Sequence, residues 1–155
     1  MTDMISGRRN WVIPAAIKYV DQICSELSVW LLECDLGEHS FPVQLLAREA
    51  LNNAILHGCE QQESLLVQFA IQVSLTEIVL EVEDEGPGFD WQSRLYQSQP
   101  AEVHRTSGRG MWIYKLFASQ IEFNPKGNQV RLVRRFGQTN APFTDNDPPA
   151  ETWQM

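Results

Sequence analysis

The chain has 155 residues, 43% of them hydrophobic and five of them Trp, which suits one packed domain able to bury roughly two-thirds of its unfolded surface. A formal net charge of −8, from 20 acidic and 12 basic residues, argues against a phosphate-backbone partner, so no direct nucleic-acid contact is expected. Cys24, Cys34 and Cys59 form no CxxC pair, Met1 to Asn10 lacks an apolar signal core, and no apolar run approaches the roughly 18 residues of a membrane span, so a reduced, cytoplasmic protein without a membrane partner is expected.

Arg8 to Ile13 alternates polar and apolar residues up to Pro14 and predicts a first strand. From Ala15 to Glu33, Ile17, Val20, Ile23, Cys24, Leu27, Trp30 and Leu31 recur at three- and four-residue steps, predicting an amphipathic helix. After the turn-rich Asp35 to Ser40, Phe41-Pro42 opens a second helix predicted to run to His57 and stop at Gly58. Leu65 to Ser74 and Glu77 to Glu83 are rich in Leu, Val and Ile and predict an antiparallel strand pair joined across Leu75-Thr76. Gly86 to Ser107 has little apolar periodicity, and a loop of that length reads as a functional lid. Gly110 to Ser119 predicts a third helix, followed by strands at Gln120 to Phe123 and Gln129 to Phe136 around the turn Asn124-Pro125-Lys126-Gly127. Residues 137–155, with Pro and acidic residues, read as a disordered tail behind a folded domain at 1–136. The order β-α-α-β-β-α-β-β predicts an α+β two-layer sandwich, with helices on one face of a mostly antiparallel sheet.

Three segments carry the chemistry. On the second helix, Glu49 and Asn53 stand one turn apart on one face, with Asn52 beside them. An amide oxygen at Asn53 suits Mg²⁺, and a carboxylate at Glu49 can take a proton from an attacking hydroxyl. Asp84 ends a strand just before Gly86 and Gly88, where a carboxylate can accept a hydrogen bond from an adenine amino group. Gly108 and Gly110, with Ser107, open the third helix, whose free N–H groups and dipole favour phosphate, and Arg105 and Arg109 add positive charge there. Each segment alone also fits a plain role: a solvated helix stripe, a Pro-Gly turn, arginines in a loop. Together and in this order they supply what adenine, magnesium and a triphosphate need. His39, His57 and His104 make no HxxxH or HExxH array, so a His or Cys metal site is not expected.

In these segments the chain resembles the GHKL (Bergerat-fold) ATP-binding superfamily of gyrase, heat-shock chaperone, histidine kinase and mismatch-repair proteins, and within it the anti-sigma-factor serine/threonine kinases of bacterial partner-switching systems. Glu49 to Gly58 is similar to the N box of that superfamily, Asp84 to Gly88 to its first glycine box, and Ser107 to Gly110 to its second; the resemblance spans residues 8–136. It implies Glu49 as general base, Asn53 as magnesium ligand and Asp84 as the adenine-binding aspartate. Gly86 and Gly88 would shape the base pocket and lid hinge, Ser107, Gly108, Arg109 and Gly110 would contact phosphate, and Arg105 would be a lid arginine. One departure is Arg109, where these kinases often carry an apolar residue.

The resemblance implies a protein kinase that uses ATP and Mg²⁺ to phosphorylate a small anti-sigma-factor antagonist, binds a sigma factor or similar target, and forms a homodimer. A stand-alone histidine-kinase catalytic domain is the alternative; against it, no helix pair with a phospho-acceptor His precedes the fold. A binding module that holds nucleotide without turnover is the third reading, disfavoured by the presence of both Glu49 and Asn53.

Overall fold

A computed structural model describes residues 7–88, 90 and 109–137 of the chain. Five strands, β1 (Gly7–Pro14), β2 (Leu66–Val73), β3 (Glu77–Asp84), β4 (Gln120–Phe123) and β5 (Gln129–Arg135), form one sheet in the order β1-β2-β3-β5-β4, antiparallel at every pairing. Strict alternation in β2 and β3 sends Val67, Phe69, Ile71, Val73, Ile78, Leu80 and Val82 to one buried face. The opposite face is polar, and there Arg131 reaches Glu81 at 3.5 Å and Glu122 at 3.4 Å.

Helices α1 (Val20–Glu33), α2 (Ser40–Asn53) and α3 (Arg109–Phe117) cover the apolar face, with α2 touching both of the others and β3. Val43, Leu46, Ala47, Ala50 and Leu51 bury the underside of α2 in the same core as Leu27 and Leu31 of α1. Burial of each Val or Leu is worth about 1.5–3 kcal/mol, so the helix that carries Glu49 and Asn53 is held firmly over the central strand. This is the two-layer α+β sandwich expected from the element order.

The helix boundaries differ from the periodicity in two places. Ala15 to Tyr19 is not α-helical: Ala16 is extended (φ −141°, ψ 133°) and Ile17–Tyr19 is a short 3₁₀ turn, so α1 begins at Val20. The second helix does not stay α-helical to His57; after Asn53 it widens into a π turn, Ala54–Gly58, in which Cys59 N–H donates to the Ala54 carbonyl at 2.8 Å. Asp35, in the left-handed region at φ 61°, ends α1, and Leu36 N–H bonds back to Leu31 O at 2.8 Å. The β4–β5 turn is closed by Asn124, whose Oδ1 accepts from the N–H groups of Gly127, Asn128 and Gln129 at 2.8, 3.0 and 3.1 Å. Among the described residues no helix is long and apolar enough to cross a membrane.

Candidate functional site

The C-terminal end of β3, the last turn of α2, the middle of α3 and the β4–β5 turn meet around a cleft lined by Asn53, Ala54, Asp84, Tyr114, Phe123 and Asn128. Asn53 and Asp84, predicted from separate motifs, thus line one cleft. Glu49 is one helical turn before Asn53, but it does not lie on a solvated stripe: it is 8% exposed. A carboxylate so enclosed is costly to keep charged unless its surroundings use it.

Asp84 is 4% exposed, and its placement is unusually constrained. The Gly86 N–H donates to its Oδ1 at 2.8 Å. Burial pushes its pKa above the usual 3.8, opposed by that N–H and by the Lys126 charge. The backbone around it is pinned as well, since Asp84 N–H donates to Asn128 O and Asn128 Nδ2 donates to Asp84 O, both at 2.9 Å. A Cβ on Gly58 would stand 2.4 Å from Asp84 Oδ2, and one on Gly86 would stand 1.9 Å from the Gly58 carbonyl oxygen. The π turn therefore brings Gly58 flush against the carboxylate, with room for neither a side chain there nor one at Gly86. Gly88, at φ +88°, has the Lys126 carbonyl 1.9 Å from where its Cβ would be, so the same logic ties the strand exit to the β4–β5 turn.

Asn53 Nδ2 donates to the Tyr114 hydroxyl at 2.9 Å. With the nitrogen engaged, the amide presents its oxygen as the free end, the donor that a hard divalent cation takes. The chemistry of this wall therefore fits Mg²⁺ held by one protein oxygen together with phosphate oxygens. Beside it, Asn52 Oδ1 is buried and has no hydrogen-bond partner among the described residues. Burial pushes the Tyr114 phenol well above its ordinary value of 10.0, so it stays protonated, and the Glu49 charge adds to the rise. Arg109 and Gly110 open α3. Arg105, Ser107, Gly108 and most of the expected lid lie outside the described residues, as does the expected tail from 138 on. Among the described residues no group of three or more His, Cys, Asp and Glu could hold a metal.

Three contributors were not legible as site residues. Tyr114 reads in sequence as one of several inward apolar positions of a helix; the usable signal is that a buried phenol needs a hydrogen-bond partner. Asn128 follows a turn glycine and carries no local mark of its contact with Asp84. Gly58 reads as a helix stop and the end of the N-box-like segment, with no mark of its approach to Asp84.

The model of the histidine kinase-like ATPase domain matches residues 13–134. An anti-sigma F factor of Clostridium acetobutylicum is 30% identical over 124 residues, covering 76% of this chain and 80% of that one. Anti-sigma F factors of Clostridium perfringens and Clostridium botulinum are 33% and 28% identical, over 60% and 61% of this chain and 69% of each relative. A histidine kinase domain from the blue-light activated histidine kinase of Erythrobacter litoralis EL346 superposes with a TM-score of 0.49 at 18% identity. That alignment covers 83% of this chain and 64% of the other, so this chain spans just under two-thirds of that length. The matched region takes in β2, β3 and every described site residue, and the chain belongs to the histidine kinase-like ATPase family, in which its curated relatives are anti-sigma F factors.

Proposed function

We propose that the protein is an Mg-ATP-dependent serine/threonine protein kinase that phosphorylates a small antagonist protein and holds a sigma factor or similar regulator when not engaged with that substrate. The observation that carries the reading is the enclosed Glu49 carboxylate one turn from Asn53, whose amide donates to the Tyr114 hydroxyl and which lines the same cleft as Asp84. Asp84 accepts from the adenine amino group; guanine would present O6 there and leave two acceptors opposed. Asn53 Oδ1 would hold Mg²⁺, which when bound would supply charge neutralisation at the phosphates. Glu49 takes the proton of the substrate hydroxyl as its oxygen bonds to the γ-phosphorus, while the bond from that phosphorus to the β,γ-bridging oxygen breaks and its electron pair leaves with ADP. The N-terminus of α3, with Arg109 and Gly110, supports the phosphates. Kinship with anti-sigma F factors supports a sigma factor as the sequestered partner.

The test is single-turnover transfer of labelled phosphate to protein captured from the source cell with Mg-ATP. Wild type is expected to yield an acid-stable phosphoester, and Glu49→Gln to keep ATP affinity while losing transfer by about 10²- to 10⁴-fold. An acid-labile product would select a histidine kinase instead. Undiminished transfer by the variant would remove Glu49 from the mechanism.

A further inference from the structure

Asn53 and Tyr114 make a side-chain bond that joins α2 to α3 inside the cleft, with Nδ2 donating to the hydroxyl at 2.9 Å. Tyr114 is 1% exposed, whereas Asn53 is half-buried at the cleft wall. A primary amide has two ends of nearly equal shape, one a donor and the other an acceptor, and rotation about its last torsion exchanges them. Without a fixed partner, an Asn in this position would turn NH₂ and oxygen toward the cleft in alternation. Only the oxygen can bind a cation.

The phenol settles which end is which. Its oxygen accepts from Nδ2 at 2.9 Å. A hydroxyl oxygen that accepts from the amide pairs with NH₂ and not with C=O, which leaves Oδ1 as the other end. The ring itself is held, because Tyr114 is fully buried in the core that α1, α2 and the sheet share. Since α3 also opens at Arg109-Gly110, the residue that orients the amide belongs to the helix whose N-terminus faces phosphate in the proposed function.

We propose that Tyr114 is a positioning residue for Asn53: by accepting the amide proton it holds Oδ1 as the end available to the divalent cation that accompanies the nucleotide. This rests on the reading of Asn53 as the magnesium ligand. Tyr114 touches neither cation nor nucleotide in this scheme; it acts by removing the unproductive amide orientation before the ligand arrives.

The experiment is calorimetric titration of the full chain with ATP, once in Mg²⁺ and once in chelator, for wild type, Tyr114→Phe, Asn53→Ala and the double variant. Phe keeps the ring and its packing and removes only the oxygen. Tyr114→Phe is expected to leave affinity in chelator within about twofold of wild type and to cut the magnesium-dependent gain about fivefold to tenfold, the size of one lost hydrogen bond. In the Asn53→Ala background the same change should cut it no further, because both substitutions act through one ligand. A full magnesium gain in Tyr114→Phe overturns the proposal, as does an equal loss with and without Mg²⁺, which would mark a merely structural role. A wild type with no magnesium gain at all overturns the Asn53 assignment and this proposal with it, and that result is read before any variant is made.

Discussion

Asn128 and Asp84 are tied together twice, through the Asp84 N–H to the Asn128 carbonyl and through Asn128 Nδ2 to the Asp84 carbonyl, each at 2.9 Å. The first bond extends the β3–β5 ladder; the second depends on one side chain, which also accepts from Asn124 Nδ2 at 2.6 Å. Asn128→Ala removes that side-chain pair of bonds and leaves the Asp84 carbonyl without its partner. The expected loss is about 1–3 kcal/mol of stability in urea unfolding, together with weaker ATP binding. An unchanged midpoint would mean that the ladder alone fixes the strand end.

Gly58 and Gly86 should fail in different ways. A methyl group at Gly58 meets the Asp84 carboxylate, the end of a side chain that can swing aside, whereas one at Gly86 meets the Gly58 carbonyl, which is backbone. Gly86→Ala is therefore expected to destabilise by about 1–3 kcal/mol through overpacking. Gly58→Ala should cost less stability but lose at least about tenfold in ATP affinity, as expected if displacing the carboxylate forfeits about 1.4 kcal/mol or more of hydrogen bonding. Paired thermal unfolding and nucleotide titration check both, and the assignment of Asp84 to adenine fails if Gly58→Ala binds like wild type.

The sheet and its partner helices were open to sequence reading because alternation in β2 and β3 and the three-to-four spacing in α1 and α2 are direct imprints of burial. The start of α1 was not, since Ile17 keeps the helical spacing while Ala16 is extended. The π turn was hidden for a related reason: a bond from Cys59 to Ala54 uses backbone alone and leaves no residue pattern. Asn53 and Asp84 could be named from their chemistry, but the contacts around them come from Tyr114, Asn128 and Gly58, which approach only after folding. Contacts between distant segments have no local signature.

Asp84 is expected to weaken the ligand-free fold. Its pKa lies above the usual 3.8, chiefly through burial, so between the unfolded and folded values the native state binds more protons than the unfolded chain. Stability therefore declines as pH rises through that window, and above it the ionised carboxylate is a standing cost. Asp84→Asn keeps an oxygen for the Gly86 N–H and carries no charge. It should be at least as stable as wild type in urea at neutral pH, lose that advantage as the pH falls through the raised folded value toward 3.8, and bind ATP poorly. A variant less stable than wild type at neutral pH would show that the carboxylate is stabilising.

His39 gives the opposite pH response. Its Nδ1 accepts from Arg134 Nε at 3.2 Å, which requires a ring unprotonated at that nitrogen, while Nε2 stands 3.6 Å from the exposed Glu38. Burial lowers its pKa below the usual 6.5, with Arg134 adding to the shift and Glu38 opposing it. A base with a depressed folded pKa contributes stability that is fully present above 6.5 and is lost as pH falls through the folded value. Arg134 also donates to the Phe117 carbonyl at 2.8 Å, so protonation of His39 loosens the anchor at the end of α3. His39→Asn, which keeps an acceptor but cannot titrate, should flatten the fall in urea midpoint that wild type shows between about pH 7 and pH 5. Parallel profiles for the two proteins over that range would assign the acid sensitivity to another group.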